Sequence, residues 1–264
     1  MQNANLVKVS SEDRDPESIS SSDFIVSYNN APCMANINRL AIKNIIVPNV
    51  FYNINDTGYN IQNSGNSTLF IKNITTGLNF SIGINAGNYT ISQLITEINT
   101  LLSLSGGGVS VSEDAVTKKL KFTSGSGDLF AYSTDGMGSY LGMIKPPSFD
   151  GAGVLVYNLE GFPNLSGVKE IYISSARMSD GSHLVLPFGS TLPVIAAVPI
   201  TVAFGEFQTY IAPNIELDEI VFPSYSAGSS LRTIDIQVRD TFGNVLNTGG
   251  LPTTITFKGW HLQN

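Results

Sequence analysis

The sequence is short of charge, of cysteine and of histidine, and each shortage excludes something. Charged residues make up 13% of the 264, about half the usual quarter, so Ser, Thr, Asn and Gly fill much of the surface. A neutral surface is the kind that other subunits cover. Net charge is −7, and the densest positive spot is Lys118-Lys119-Leu120-Lys121. With no basic cluster, no phosphate-tracking groove and no nucleic-acid partner are expected. The single cysteine, Cys33, excludes a disulfide framework and fits a reducing compartment. No apolar run reaches the ~18 residues of a helical membrane span. Residues 1–20 lack the apolar core of a secretory leader.

The residues that usually carry chemistry are equally sparse. The two histidines, His183 and His261, have no carboxylate, cysteine or second histidine at ligand spacing, and read as isolated turn and strand residues. Cys33 reads as a small, half-buried filler. Gly106-Gly107-Gly108 and Gly136-Met137-Gly138-Ser139 lack the strand, helix and lysine of a phosphate loop. No G-x-S-x-G elbow occurs. Gly125-Ser126-Gly127-Asp128 lacks the spaced acids and closing Glu of a calcium loop. Glu216, Asp218 and Glu219 admit two readings, a glycosidase-like carboxylate pair or charge that blocks a strand edge; the second is the commoner use. No catalytic residue, cofactor or metal site is expected, and the chain reads as a non-enzyme.

What is present is β-structure. Residues 1–20, acid-rich and then serine-rich, read as a flexible arm. Strands are expected at Asp23 to Tyr28 and Met34 to Val47. Between Val50 and Pro147 the texture changes to Asn and Gly, with short strands around one helix, TISQLITEINTLL. Thr90 and Gln93 form its capping box, and Ile91, Leu94, Ile95, Ile98, Leu101 and Leu102 share a face. After Pro146-Pro147, strands are expected at Gly153–Asn158, Lys169–Ser175, Ile200–Phe204, Leu217–Phe222, Leu231–Arg239 and Thr253–His261. Turn pairs such as Gly243-Asn244 and Gly249-Gly250 separate them. The expected architecture is all-β: an eight-stranded, two-sheet jelly roll over 21–50 and 148–264, with an α+β insert over 51–147 and the arm at 1–20.

The order of these features resembles the minor capsid, or penton, proteins of virophages and of related polinton-like and adintovirus-like elements. The pieces are SSEDRDPESISSSDFIVSYN, VPNVFYNIN, INAGNYTISQLITEINTLL and LRTIDIQVRDTFGNVLNTGGLPTTITFKGWHL. The resemblance implies a single jelly roll that forms homopentamers at the fivefold vertices of an icosahedral virion. It would be made in the host cytoplasm and seated among capsomers of a separate major capsid protein. A ring of copies needs heterologous side-to-side contacts, which broad neutral faces suit. On this reading the arm orders on assembly, with Asp13, Arg14, Asp15, Asp23 and Phe24 as interface candidates; the plain alternative is a solubilising tail. The insert, leaving the sandwich at an end or edge, either touches a host or giant-virus surface or locks the pentamer.

Two other classes share the β-content. A jelly-roll adhesin or carbohydrate-binding module would show a calcium site or a row of exposed aromatics. A secreted glycosidase would need two carboxylates on facing strands.

Overall fold

The structure is a computed structural model. It describes residues 4–28, 32–35, 37–54, 67–106, 108–133, 136–144, 154–178, 184–185, 191–212, 219–221, 230–241 and 243–261. In chain order the strands are β1 (Ala4–Ser10), β2 (Asp23–Ser27), β3 (Ile37–Pro48), β4 (Thr68–Asn73), β5 (Asn79–Gly83), β6 (Val109–Glu113), β7 (Leu120–Ser124), β8 (Phe130–Tyr132), β9 (Val156–Asn158), β10 (Glu170–Ser174), β11 (Val194–Pro199), β12 (Phe207–Ile211), β13 (Thr233–Arg239) and β14 (Thr254–His261). The helices are α1 (Ile91–Leu104) and α2 (Met137–Leu141). Two compact units result, Met1–Phe51 with Val168–Asn264, and Tyr52–Gly167.

The first unit is a β-sandwich. One sheet runs β1-β14-β3-β12, with Glu219–Val221 also pairing β3; the other runs β11-β10-β13-β2. Every pairing is antiparallel. Successive numbered strands of the unit alternate between sheets except at the β10–β11 hairpin, which is the order of a jelly roll. Each strand turns alternate residues inward. Val9, Leu40, Ile45, Ile255 and Phe257 from the first sheet are buried, as are Phe24, Ile171, Ile173, Ile234 and Ile236 from the second. On β3 the inward residues Ile42 and Ile45 are three apart, which strict alternation forbids. A register shift against β14, between Thr256 and Phe257, absorbs the extra residue Lys43. Gly259 of β14 leaves room for Met34: a Cβ there would lie 2.4 Å from the Met34 sulfur, so a larger residue would have to displace that side chain.

Residues 4–20 do not form the expected arm. β1 pairs with β14 over its whole length, from Ala4↔Trp260 to Ser10↔Thr254. The serines that follow are consumed by the fold. Ser11 donates its amide to the Thr253 carbonyl (2.9 Å) and accepts the Thr253 amide on its hydroxyl (3.0 Å). Ser21 and Thr248 share a buried 2.6 Å hydrogen bond. A serine is small enough to enter a corner of the sandwich and is satisfied there by backbone groups.

Other expected strands move as well. Residues 200–204 are the turn between β11 and β12 rather than a strand. The Asn49 amide side chain donates to the Val202 carbonyl (2.9 Å), and buried Gln208 accepts from the Thr201 amide (2.9 Å), so side chains take the bonds a ladder would have used. β9 pairs with β7 and belongs to the second unit, which extends to Gly167 rather than ending at 147. Within 217–222, only residues 219–221 are described.

In the second unit the sheets run β5-β4-β8 and β9-β7-β6. Helix α1 starts at the expected capping box: the Thr90 amide donates to Gln93 Oε1 (2.9 Å), and the Gln93 amide to Thr90 Oγ1 (3.3 Å). Leu94, Ile98 and Leu102 are buried against β-strand residues such as Val111, Phe122 and Phe130. Asn99, beside that stripe, reaches the free edge of β6. Its carbonyl accepts the Val111 amide (2.7 Å) and its NH₂ donates to the Val111 carbonyl (2.8 Å), as a paired strand would. The Gly136-Met137-Gly138 run serves packing: Cβ atoms at the two glycines would lie 2.4 Å from the Thr68 carbonyl oxygen and 2.1 Å from that of Ser133.

Strand β1 gives a direct test of this architecture. Val9→Asp places an unpaired carboxylate in the sandwich interior and is expected to destabilise the protein by about 3 kcal/mol or more. A thermal melt that matches the parent would mean that residues 4–10 are the free arm.

Candidate assembly surface

The two lateral edges of the sandwich are built differently. One edge is formed by β1 and β2 with the segment that joins them; the other is formed by β11 and β12 with theirs.

At the first edge the chain covers its own strand. The Asp15 amide donates to the Ile25 carbonyl (2.7 Å), and the Asp15 carboxylate accepts the Ser27 amide (3.1 Å) and hydroxyl (2.6 Å). The Ile25 amide donates to Ser18 Oγ (3.0 Å), and the Asp23 amide to Ser20 Oγ (3.0 Å). Residues 15–20 thus lie along the outer side of β2 and satisfy the groups that an edge strand leaves open. Arg14 caps the short 3₁₀ turn Ser11–Asp13 by donating to the Ser11 carbonyl (2.7 Å).

This accounts for the five interface candidates. Arg14 and Asp15 are engaged within the chain. Asp23 is half-buried on the outer face near Arg239; burial pulls the Arg239 guanidinium below its ordinary range, against the opposing pull of Asp23 and Asp240. Phe24 is a core residue and offers nothing to a neighbour, because alternation along β2 turns it inward and Ile25 outward. Asp13 is exposed. The exposed apolar residues at this edge, Leu6, Ile19 and Ile25, are ones the sequence reading passed over.

The second edge carries no such cover among the described residues. Among the described residues β11 pairs with β10 alone, and β12 with β3 alone. Residues 191–212 read TLPVIAAVPITVAFGEFQTYIA, with Glu206 the one charged side chain. Its carboxylate is turned back to the Ala203 amide (3.1 Å). Phe204, Phe207 and Ile211 are exposed. The signal for this edge was present in the sequence as a long stretch with one charge, but the strand was expected at Ile200–Phe204, which is the turn.

Several groups with chemical capacity among the described residues are held by hydrogen bonds within the chain. No cluster of three or more His, Cys, Asp or Glu that could hold a metal occurs among the described residues. His183, Glu216 and Asp218 lie outside the described residues, and His261 is on β14. Glu219 begins the short strand that pairs with Ala41. Asp128 accepts from Asn73 Nδ2 and Ser126 Oγ, each at 3.2 Å. In the second unit a shallow groove beside α1 is lined by Asn88, Tyr89, Ser92, Gln93, Thr96 and Glu97. There the Tyr89 hydroxyl already donates to the Asn85 carbonyl (3.0 Å) and Gln93 Oε1 is held by Thr90. No helix among the described residues is long and apolar enough to cross a membrane.

No protein-family model matches the sequence, and no curated protein matches it. Among solved structures, the chain is similar to a selenomethionine-labelled mavirus penton protein, at 11% identity and a TM-score of 0.49, over 99% of this chain and 100% of that one. A likeness at that level carries no argument about function.

Cys33 is tied into the fold. Its thiol donates to the Leu231 carbonyl (3.0 Å), and burial pushes its pKa up to about 11 from an ordinary 9.0. A raised acid pKa means that the fold favours the thiol. The associated stability is complete below pH 9 and is lost as pH rises through about 11. At pH 8 the folded protein is expected to react with iodoacetamide at least about tenfold more slowly than the unfolded chain. Equal rates would show that the thiol is free.

Proposed function

We propose that this chain is a structural capsid subunit, a penton-type single jelly roll that associates into homopentamers at the fivefold vertices of an icosahedral virion. It acts by shape and self-association, not by turnover. Its neighbours in the shell are the capsomers of a separate major capsid protein.

The observation that carries this reading is the jelly roll whose buried faces are apolar and whose outer edge at β11 and β12 is uncharged. Jelly rolls serve capsids, lectins and cupins alike. A cupin needs metal-binding side chains inside the sandwich, and in this chain the inward positions of the described strands are held by residues such as Val9, Ile173, Ile236 and Phe257. A lectin needs a polar, aromatic-bearing site. The sequence resemblance to virophage penton proteins supports the capsid reading independently. The assembly role first assigned to a free N-terminal arm is replaced, because residues 4–20 are used by the sandwich itself.

Size-exclusion chromatography with light scattering on the purified full chain tests the proposal. The expected result is a five-chain species, or concentration-dependent association that ends at five. A chain that stays monomeric at high concentration and binds glycans would instead identify a carbohydrate-binding module.

A further inference from the structure

We infer that the pentamer contact is heterologous and edge-to-edge: the β11–β12 edge of one copy seats on the β1–β2 edge of the next. This rests on the capsid reading above and adds the surface and the partner.

Three features select this edge. First, it is apolar and exposed, whereas β2 on the other edge is covered by residues 15–20: Phe204, Phe207 and Ile211 are 42%, 46% and 69% exposed. Phe207 and Ile211 share the outward side of β12, with Thr209 between them. Second, this side of the contact brings almost no charge, since Glu206 is the one acidic or basic side chain in 191–212 and is already bonded to the Ala203 amide. The charged side chains at the contact belong to the facing β1–β2 edge, where Arg14 and Asp15 are held within the chain, so the β11–β12 side adds little desolvation cost of its own. Third, the matching apolar surface is on the opposite edge of the same sandwich, where Ile19 and Leu6 are 83% and 55% exposed.

That third feature identifies the occupant as a second copy. A closed ring needs two different, complementary patches on one molecule, and the two lateral edges provide them. At β11 and β2 the strand edges also favour side-chain contact over continuous sheet addition. Pro193 and Pro199 bracket β11 and lack the amide hydrogens a ladder needs, and β2 is already lined by residues 15–20. Pairing of β11 with the β11 of another copy would be isologous and would stop at a dimer. Contact between unlike edges continues until it closes.

The test uses the full chain and compares three variants with the parent by light scattering and thermal melting. They are Phe207→Asp with Ile211→Asp, Ile19→Asp, and Val116→Asp as a charge control on the second unit, where Val116 is 89% exposed. Both edge variants are expected to melt within a few degrees of the parent and to associate at least about tenfold more weakly; the control should associate as the parent does. Orientation is read by cross-linking in a Cys33→Ala background. A chain carrying both Ile19→Cys and Ile211→Cys should give a ladder of linked chains with a short bis-maleimide, and chains carrying either change alone should not.

Edge variants that still reach the parent's mass would overturn this contact and leave the pentamer standing. Linkage of the Ile211→Cys chain to itself would overturn it in favour of like-to-like pairing. A parent that never associates would remove both the contact and the pentamer.

Discussion

Apolar side chains facing one another across two antiparallel sheets hold the first unit together, and every other feature of it follows from keeping water out of that layer. Ile255 and Phe257 on β14, Leu40 and Ile45 on β3, and Ile234 and Ile236 on β13 are fully buried. Because side chains alternate along a strand, each inward residue fixes its outward neighbours: Thr254 and Thr256 on β14, Thr209 and Ile211 on β12. A slip of one residue would exchange the two sets. The register shift opposite Lys43 shows the same constraint at work, since it keeps both Ile42 and Ile45 inside at the cost of one irregular pairing.

The described core residues fill the interior of this sandwich, so what it presents to a partner is its edges and outer faces. The edges differ in a way that the topology explains. At β2 the segment that joins it to β1 is long enough to fold back, and Asp15, Ser18 and Ser20 supply the bonds that a neighbouring strand would have made. The connection between β11 and β12 is short and is spent on its own turn, through Asn49 and Gln208. It has nothing left to cover the edge. The second unit handles the same problem with one side chain, Asn99, which occupies the backbone groups of Val111 at the rim of β6.

How much could be read in advance divides along physical lines. Helix α1 was legible because its cap, its apolar stripe and its terminating glycines agree with one another. β13 and β14 were legible because alternation runs unbroken through IDIQV and ITFKGW. β1 was missed although Val7 and Val9 alternate with Leu6 and Lys8, because four acids and a row of serines follow at once. Composition suggests disorder there, but a serine at a corner is buried with its bonds made, as Ser11 and Ser21 are. β11 and β12 were missed because one strand was expected at Ile200–Phe204, the uncharged segment that forms the turn between them. Phe24 was assigned to an interface for want of a fixed phase on β2; once β13 sets that phase, Ile25 is the outward residue.

Hydrogen–deuterium exchange of the full chain, recorded dilute and then at high concentration, tests the central claim that this protein works through the edges of a closed sandwich. The account predicts that concentration adds protection at residues 194–211 and at 4–25, and leaves the surface of the second unit unchanged. Exchange that is the same at both concentrations, or protection confined to residues 52–167, would contradict it.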